Sequence, residues 1–237
     1  MRILAIGDSF TYGSELPDAS CTLTPIPSTV IYNCPSNLAW PSLLAKQLNG
    51  TANNLGLPGG SNSRIFRLAI SECTKRQYDL VICAWTHLAR LDITHHNIEF
   101  PITAKSSAWL MKEVPWVTDF FKISYDGLHA AETWMAQLIV LQDFFKYRNQ
   151  RYVFLNMEGA GIFPGFLGMA GTDSLVPRFQ ILEKQIDKTY YMGWPDTGMV
   201  DWMGDAPKGP GGHPLELGHE RIANKIYEHI GNLGWLP

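Results

Sequence analysis

"AIGDSFTYG", residues 5–13, is where an apolar run ends and reactive side chains begin. Ile3 to Ile6 reads as a short buried strand, and Gly7-Asp8-Ser9 closes it with turn-forming residues. Such a turn either finishes a strand and does nothing more, or it aims Ser9 at a substrate. The choice depends on whether the rest of the chain supplies the partners that a reactive serine needs.

Composition narrows the field first. With 46% hydrophobic and 17% charged residues in 237, the chain can bury a sizeable core and is not a disordered segment. A net charge of −3 without any basic run leaves no electrostatic footprint for nucleic acid. No apolar stretch reaches the length of a membrane span, and the run before Gly7 is too short for a signal peptide. The expectation is therefore a soluble, cytoplasmic protein. Cys73 and Cys83 sit in apolar patterns as buried thiols. Cys21 and Cys34 flank a loop across which a disulfide could form, though nothing points to an oxidising compartment. His95-His96 is a weak metal signal, because adjacent side chains on an extended segment face opposite ways and no third ligand stands at a telling spacing. No metal or other cofactor is expected.

Strand patterns fall at Arg2–Gly7, Thr51–Leu55, Asp79–Trp85 and Arg151–Met157. Helical spacing of apolar residues covers 39–50, 62–76, 129–149, 178–191 and 215–233. This alternation predicts an α/β fold with a mostly parallel sheet and helices on both faces. Four segments, 14–37, 95–127, 158–177 and 192–212, fit no regular element and read as long loop insertions in a single domain spanning 1–237.

In open α/β sheets, sites form beyond the carboxyl ends of the strands. Four polar stretches fall there: Gly7-Asp8-Ser9, the glycine-rich turn from Asn54 to Asn62, Trp85-Thr86-His87, and Gly211-Gly212-His213-Pro214 before the last helix. Acyl transfer needs this set. A serine hydroxyl needs a base, which near neutral pH is usually histidine, and the tetrahedral oxyanion needs fixed N–H donors that a glycine loop can present.

Taken in order, these blocks resemble the SGNH (GDSL-type) hydrolases, esterases and acetylesterases on a flavodoxin-like three-layer α/β fold. "GDSFTYG" puts Ser9 at the nucleophile position, and "NLGLPGGSN" puts Gly59 at the oxyanion position. The third block is "AWTH", with Thr86 where the family has asparagine. The last is "PGGHP", with His213 retained as the base. The wording of "AWPSLLAKQL" and "WTHLAR" is also similar to versions found in tailed phages and their hosts. Two departures stand out. Thr86 offers a hydroxyl in place of an amide donor, with Trp85 beside it to narrow the pocket or stack on a flat substrate face. Pro210 stands at the triad-acid position, so His213 needs another partner: Asp205 or Asp201 folding back from the preceding loop, or a backbone carbonyl.

Other residues have plainer readings. Asp8 braces its turn, Asn62 caps a helix, and His219 is a packed or surface histidine. Arg90 and Asp92 form a loop ion pair, and Trp109, Trp116, Trp134, Trp194 and Trp202 serve core or lid packing. The resemblance implies a serine esterase that removes a short acyl group, acetyl foremost, from a small-molecule or carbohydrate ester without a cofactor. The competing reading is a non-catalytic binding or structural protein that retains the scaffold, motivated by the missing acid and asparagine.

Overall fold

The computed structural model describes residues 1–23, 30–95, 98–102, 116–158, 176–195 and 197–236. Its centre is a parallel sheet in the order β4 (Thr51–Asn54), β1 (Arg2–Ile6), β5 (Leu80–Trp85), β8 (Tyr152–Asn156) and β9 (Tyr191–Met192). The middle strands read as unbroken apolar runs because both of their faces are covered. Alternate residues serve opposite layers. Leu4, Ile6, Val81, Cys83, Trp85 and Phe154 pack with Ile65 and Ala69 of α3 (Asn62–Lys75) and with Trp134 and Leu138 of α4 (Gly127–Tyr147). Ile3, Ala5, Ile82, Ala84 and Leu155 pack with Trp40 and Leu44 of α2 (Trp40–Gln47) and with Ile222, Ile226 and Ile230 of α7 (Glu216–Asn232). The result is the expected three-layer α/β arrangement.

The sequence and the structure part company in the segments between these elements. Inside 14–37, β2 (Ser20–Leu23) pairs antiparallel with β3 (Val30–Cys34). Inside the stretch after β5, β6 (Leu91–His95) pairs with β7 (Ile98–Ile102). Both hairpins stand apart from the main sheet. The helix expected over 178–191 is shorter: α5 spans Val176–Glu183, a 3₁₀ turn follows at Lys188–Tyr190, and Tyr191–Met192 joins β8 as the sheet edge. Tyr191 is what draws this piece inward. Its ring packs on Phe154, and its hydroxyl donates to Asn156 Oδ1 at 2.6 Å. Within 192–212, α6 (Met199–Met203) buries both of its end methionines in the second core layer.

Cys73 and Cys83 are buried, and burial pushes the Cys73 thiol up to about 12. Cys21 and Cys34 are free and exposed rather than bridged. Among the described residues no helix is long and apolar enough to cross a membrane.

A buried polar contact joins α7 to α2. His219 is fully buried, and its Nδ1 accepts the Trp40 backbone N–H at 3.2 Å. Burial, and then the nearby His213, pushes its pKa down to about 4. Because the folded value lies below the unfolded one of 6.5, stability is complete above about pH 6.5 and is lost as pH falls toward 4. His229, also lowered by burial, adds to the loss in the same window. We expect His219 to account for on the order of 3 kcal/mol of this acid sensitivity. His219→Asn, which keeps an acceptor but removes the titration, should flatten stability between pH 6.5 and 4.5 in urea denaturation measured across that range.

Candidate active site

The chain leaves β1 through Gly7 and enters a single helical turn, α1 (Ser9–Tyr12), with Asp8 as its cap. Asp8 has no solvent exposure. Its Oδ1 accepts the Phe10 N–H at 3.0 Å, and its Oδ2 accepts the Thr86 hydroxyl at 2.8 Å and Arg90 Nη1 at 2.6 Å. A buried carboxylate needs such compensation, and here it comes from three separate donors. Ser9 follows directly, 5% exposed at the carboxyl edge of the sheet.

The glycine loop after β4 is laced to this turn. Leu57 N–H donates to Gly7 O at 3.0 Å, Asn54 Nδ2 donates to Thr11 O at 2.7 Å, and Asn54 Oδ1 accepts from Gly56 N–H. Gly59 sits at φ +78°, a conformation that disfavours any side chain, and a Cβ there would lie 3.2 Å from the Pro101 ring. Among the described residues, neither the Ser9 nor the Gly59 backbone N–H has an acceptor. Two amides on interlocked turns are therefore left unengaged.

The third block differs from its sequence reading. Thr86 gives its hydroxyl proton to Asp8, and its backbone N–H goes to Asn62 Oδ1 at 2.8 Å, so it has no donor left for a substrate. Asn62 returns a bond from Nδ2 to Thr86 O at 3.0 Å, fastening the start of α3 to the end of β5. Ser61, not Asn62, caps α3. Trp85 is fully buried, edge-on to Phe154, and makes neither a pocket wall nor a stacking platform. Its position in the strand turns it toward α3 and α4 instead. Arg90 pairs with Asp8, and Asp92, itself nearly buried, is held instead by Ser61 and Arg67.

His213 lies on the other side of Ser9. Its ring meets Phe10 edge-on at 5.8 Å, and the turn carrying it closes through Gly209 N–H to His213 O at 2.8 Å. No hydrogen bond joins Ser9 Oγ to His213 among the described residues; such bonds are often long in ligand-free sites and tighten with substrate. Asp205 does not reach this histidine. Its side chain is 92% exposed and is held by Arg221 Nη1 at 2.6 Å, which lowers its pKa. Asp201 accepts the Gly198 N–H at 2.7 Å and so caps α6. The carboxylate beside His213 belongs to Glu15, whose Oε2 lies 2.9 Å from Nδ1. Sequence reasoning missed Glu15 and the pairing of Arg90 with Asp8; neither Glu15 nor Arg90 stands at a motif position.

The remaining candidates are dispersed. Trp134 and Trp194 stack at 6.0 Å over the first core layer, Trp202 donates to Thr197, and Trp116 is half-exposed. Trp109 and His96 lie outside the described residues. His87 and Glu158 form a second histidine–carboxylate contact at 3.1 Å, between the ends of β5 and β8.

The Thr86 hydroxyl is expected to act on stability. Thr86→Val keeps the shape and removes one hydrogen bond to a buried charge, so it should cost about 1.5–3 kcal/mol in chemical denaturation.

No family model matches the sequence, and no curated protein does. Solved structures match in fold. The crystal structure of TesA superposes with a TM-score of 0.54 at 12% identity, over 98% of this chain and 99% of that one. The psychrotrophic esterase EstA from Pseudoalteromonas sp. gives 0.51 at 13% identity, over 98% and 97%. A family two carbohydrate esterase from Clostridium thermocellum gives 0.50 at 17% identity, over 99% of this chain and 65% of its own. At these identities the likeness establishes the architecture: the chain has the SGNH-hydrolase fold.

Proposed function

We propose that the protein is a serine ester hydrolase that removes a short acyl group, acetyl foremost, from a carbohydrate or similar polar alcohol. The observation that carries this reading is the convergence at one sheet edge of Ser9, two unengaged backbone amides, and His213 with a carboxylate on its Nδ1. Ser9 Oγ attacks the ester carbonyl while His213 Nε2 takes its proton. The Ser9 and Gly59 N–H groups receive the oxyanion. His213 then returns the proton to the departing alcohol, and water repeats the sequence on the acyl-enzyme to release the acid and free Ser9.

Fold likeness to named esterases supports ester chemistry. EstA was crystallised inhibited by monoethylphosphonate, and the Clostridium thermocellum carbohydrate esterase in complex with cellohexaose, which supports a carbohydrate alcohol. The scaffold-only reading drew on the missing acid and asparagine; Glu15 puts a carboxylate beside His213, whereas Thr86 supplies no donor in the asparagine's place.

Purified protein should hydrolyse p-nitrophenyl acetate and take up a fluorophosphonate probe at Ser9, with both lost in Ser9→Ala. Equal turnover in the two proteins, with no probe uptake, would sink the reading in favour of a binding scaffold.

A further inference from the structure

Glu15 holds a conformation that glutamate rarely adopts. Its φ is +68°, in the left-handed region, where a Cβ crowds the backbone. The turn that puts it there begins at the nucleophile: Gly13 and Ser14 N–H both donate to Ser9 O at 3.0 Å, and Leu16 N–H donates to Gly13 O. From this position the carboxylate reaches across to the turn before α7. Oε1 accepts the Gly211 N–H at 2.7 Å, and Oε2 accepts the His213 N–H at 3.2 Å while facing His213 Nδ1 at 2.9 Å.

The opposite turn is built around this carboxylate. A Cβ at Gly209 would lie 2.5 Å from Glu15 Oε2, and one at Gly211 would lie 3.2 Å from both carboxylate oxygens. Burial alone would raise the Glu15 pKa. The Gly211 N–H and the His213 ring and N–H outweigh that effect and hold it below the usual carboxylate range, so it stays ionised near neutral pH. A chance surface pair needs neither a strained backbone on one side nor excavated glycines on the other.

We propose that Glu15 is the positioning carboxylate that orients the His213 imidazole for proton transfer at Ser9, supplied from just beyond the nucleophile's own turn. The proposal rests on the ester-hydrolysis reading above. An ionised carboxylate can only accept, so the contact places the ring proton on Nδ1 and leaves the Nε2 lone pair as the base. Nucleophile and carboxylate then belong to one continuous stretch, and the base alone comes from the far end of the chain.

Glu15→Gln conserves volume and tests the charge. With p-nitrophenyl acetate, kcat should fall about 10²–10⁴-fold, as loss of a histidine-orienting carboxylate does in serine proteases, with KM within about threefold. Glu15→Asp, which keeps the charge at shorter reach, should recover at least tenfold over Glu15→Gln. Nitrogen-15 NMR of the His213 ring supplies a readout that a structural role would not move. Neutral His213 should be the Nδ1–H tautomer in the wild type and shift toward Nε2–H in Glu15→Gln. Should Glu15→Gln retain kcat within threefold of an active wild type, or should the tautomer be unchanged despite lost activity, Glu15 does not orient the base. If the wild type is no better than Ser9→Ala, the hydrolysis reading falls, and the role of Glu15 in it falls too. If Glu15→Gln fails to fold, an Nε2–H tautomer in the wild type alone overturns the proposal.

Discussion

A carboxylate sealed from water directly before the nucleophile governs the architecture of this site. Asp8 is separated by 78 and 82 residues from the Thr86 hydroxyl and Arg90 guanidinium that satisfy it. It can be accommodated only where the ends of β1 and β5 and the segment after β5 converge. Removing either charge would leave the other poorly compensated in a low-dielectric setting, so the pair behaves as a unit. Since Ser9 is the next residue, fixing Asp8 fixes the serine. The glycine loop is tied to the same turn through Gly7 and Thr11, and Glu15 is placed by the turn that follows α1. The Ser9 turn, the glycine loop and Glu15 thus inherit their positions from one buried ionic contact.

Parts of this arrangement could be read from the chain and parts could not. The central strands were legible because burial on two faces writes an uninterrupted apolar run. Ser9, Gly59 and His213 were singled out by polar turns beyond the regular elements and by the likeness of their blocks to a known family. The acid was not. Glutamate has no preference for φ +68°, so nothing local in "YGSELPD" marks it, and the contact spans 198 residues. The signal that exists is indirect: Gly209 and Gly211 are small because a carboxylate occupies the space, and a sequence does not say what a glycine makes room for. Thr86 was misread for a related reason. At the third block its hydroxyl looks free for a substrate until the demand of a fully buried Asp8 is known. The hairpins β2–β3 and β6–β7 escaped because their strands pair only with each other, inside segments that read as loop insertions.

The left-handed backbone at Glu15 stores roughly 1–2 kcal/mol of strain. Bonds from Gly211 and His213 to its carboxylate offset that cost in the folded chain. Such an exchange is characteristic of sites where geometry outranks local preference, and it ties the loop after α1 to the loop before α7 more firmly than the hydrophobic core alone would.

The division of the site between the two chain ends also has a temporal side. Ser9, Glu15 and Gly59 all lie within the first sixty residues, on turns anchored to strands that emerge early from a ribosome. His213 immediately precedes α7, whose isoleucines must dock on the layer shared with α2 and whose His219 must find the Trp40 amide. A domain generally folds as a unit. Ser9 and Glu15 therefore gain their place beside the His213 turn only when α7 docks. Packing of α7 thus completes the arrangement around Ser9.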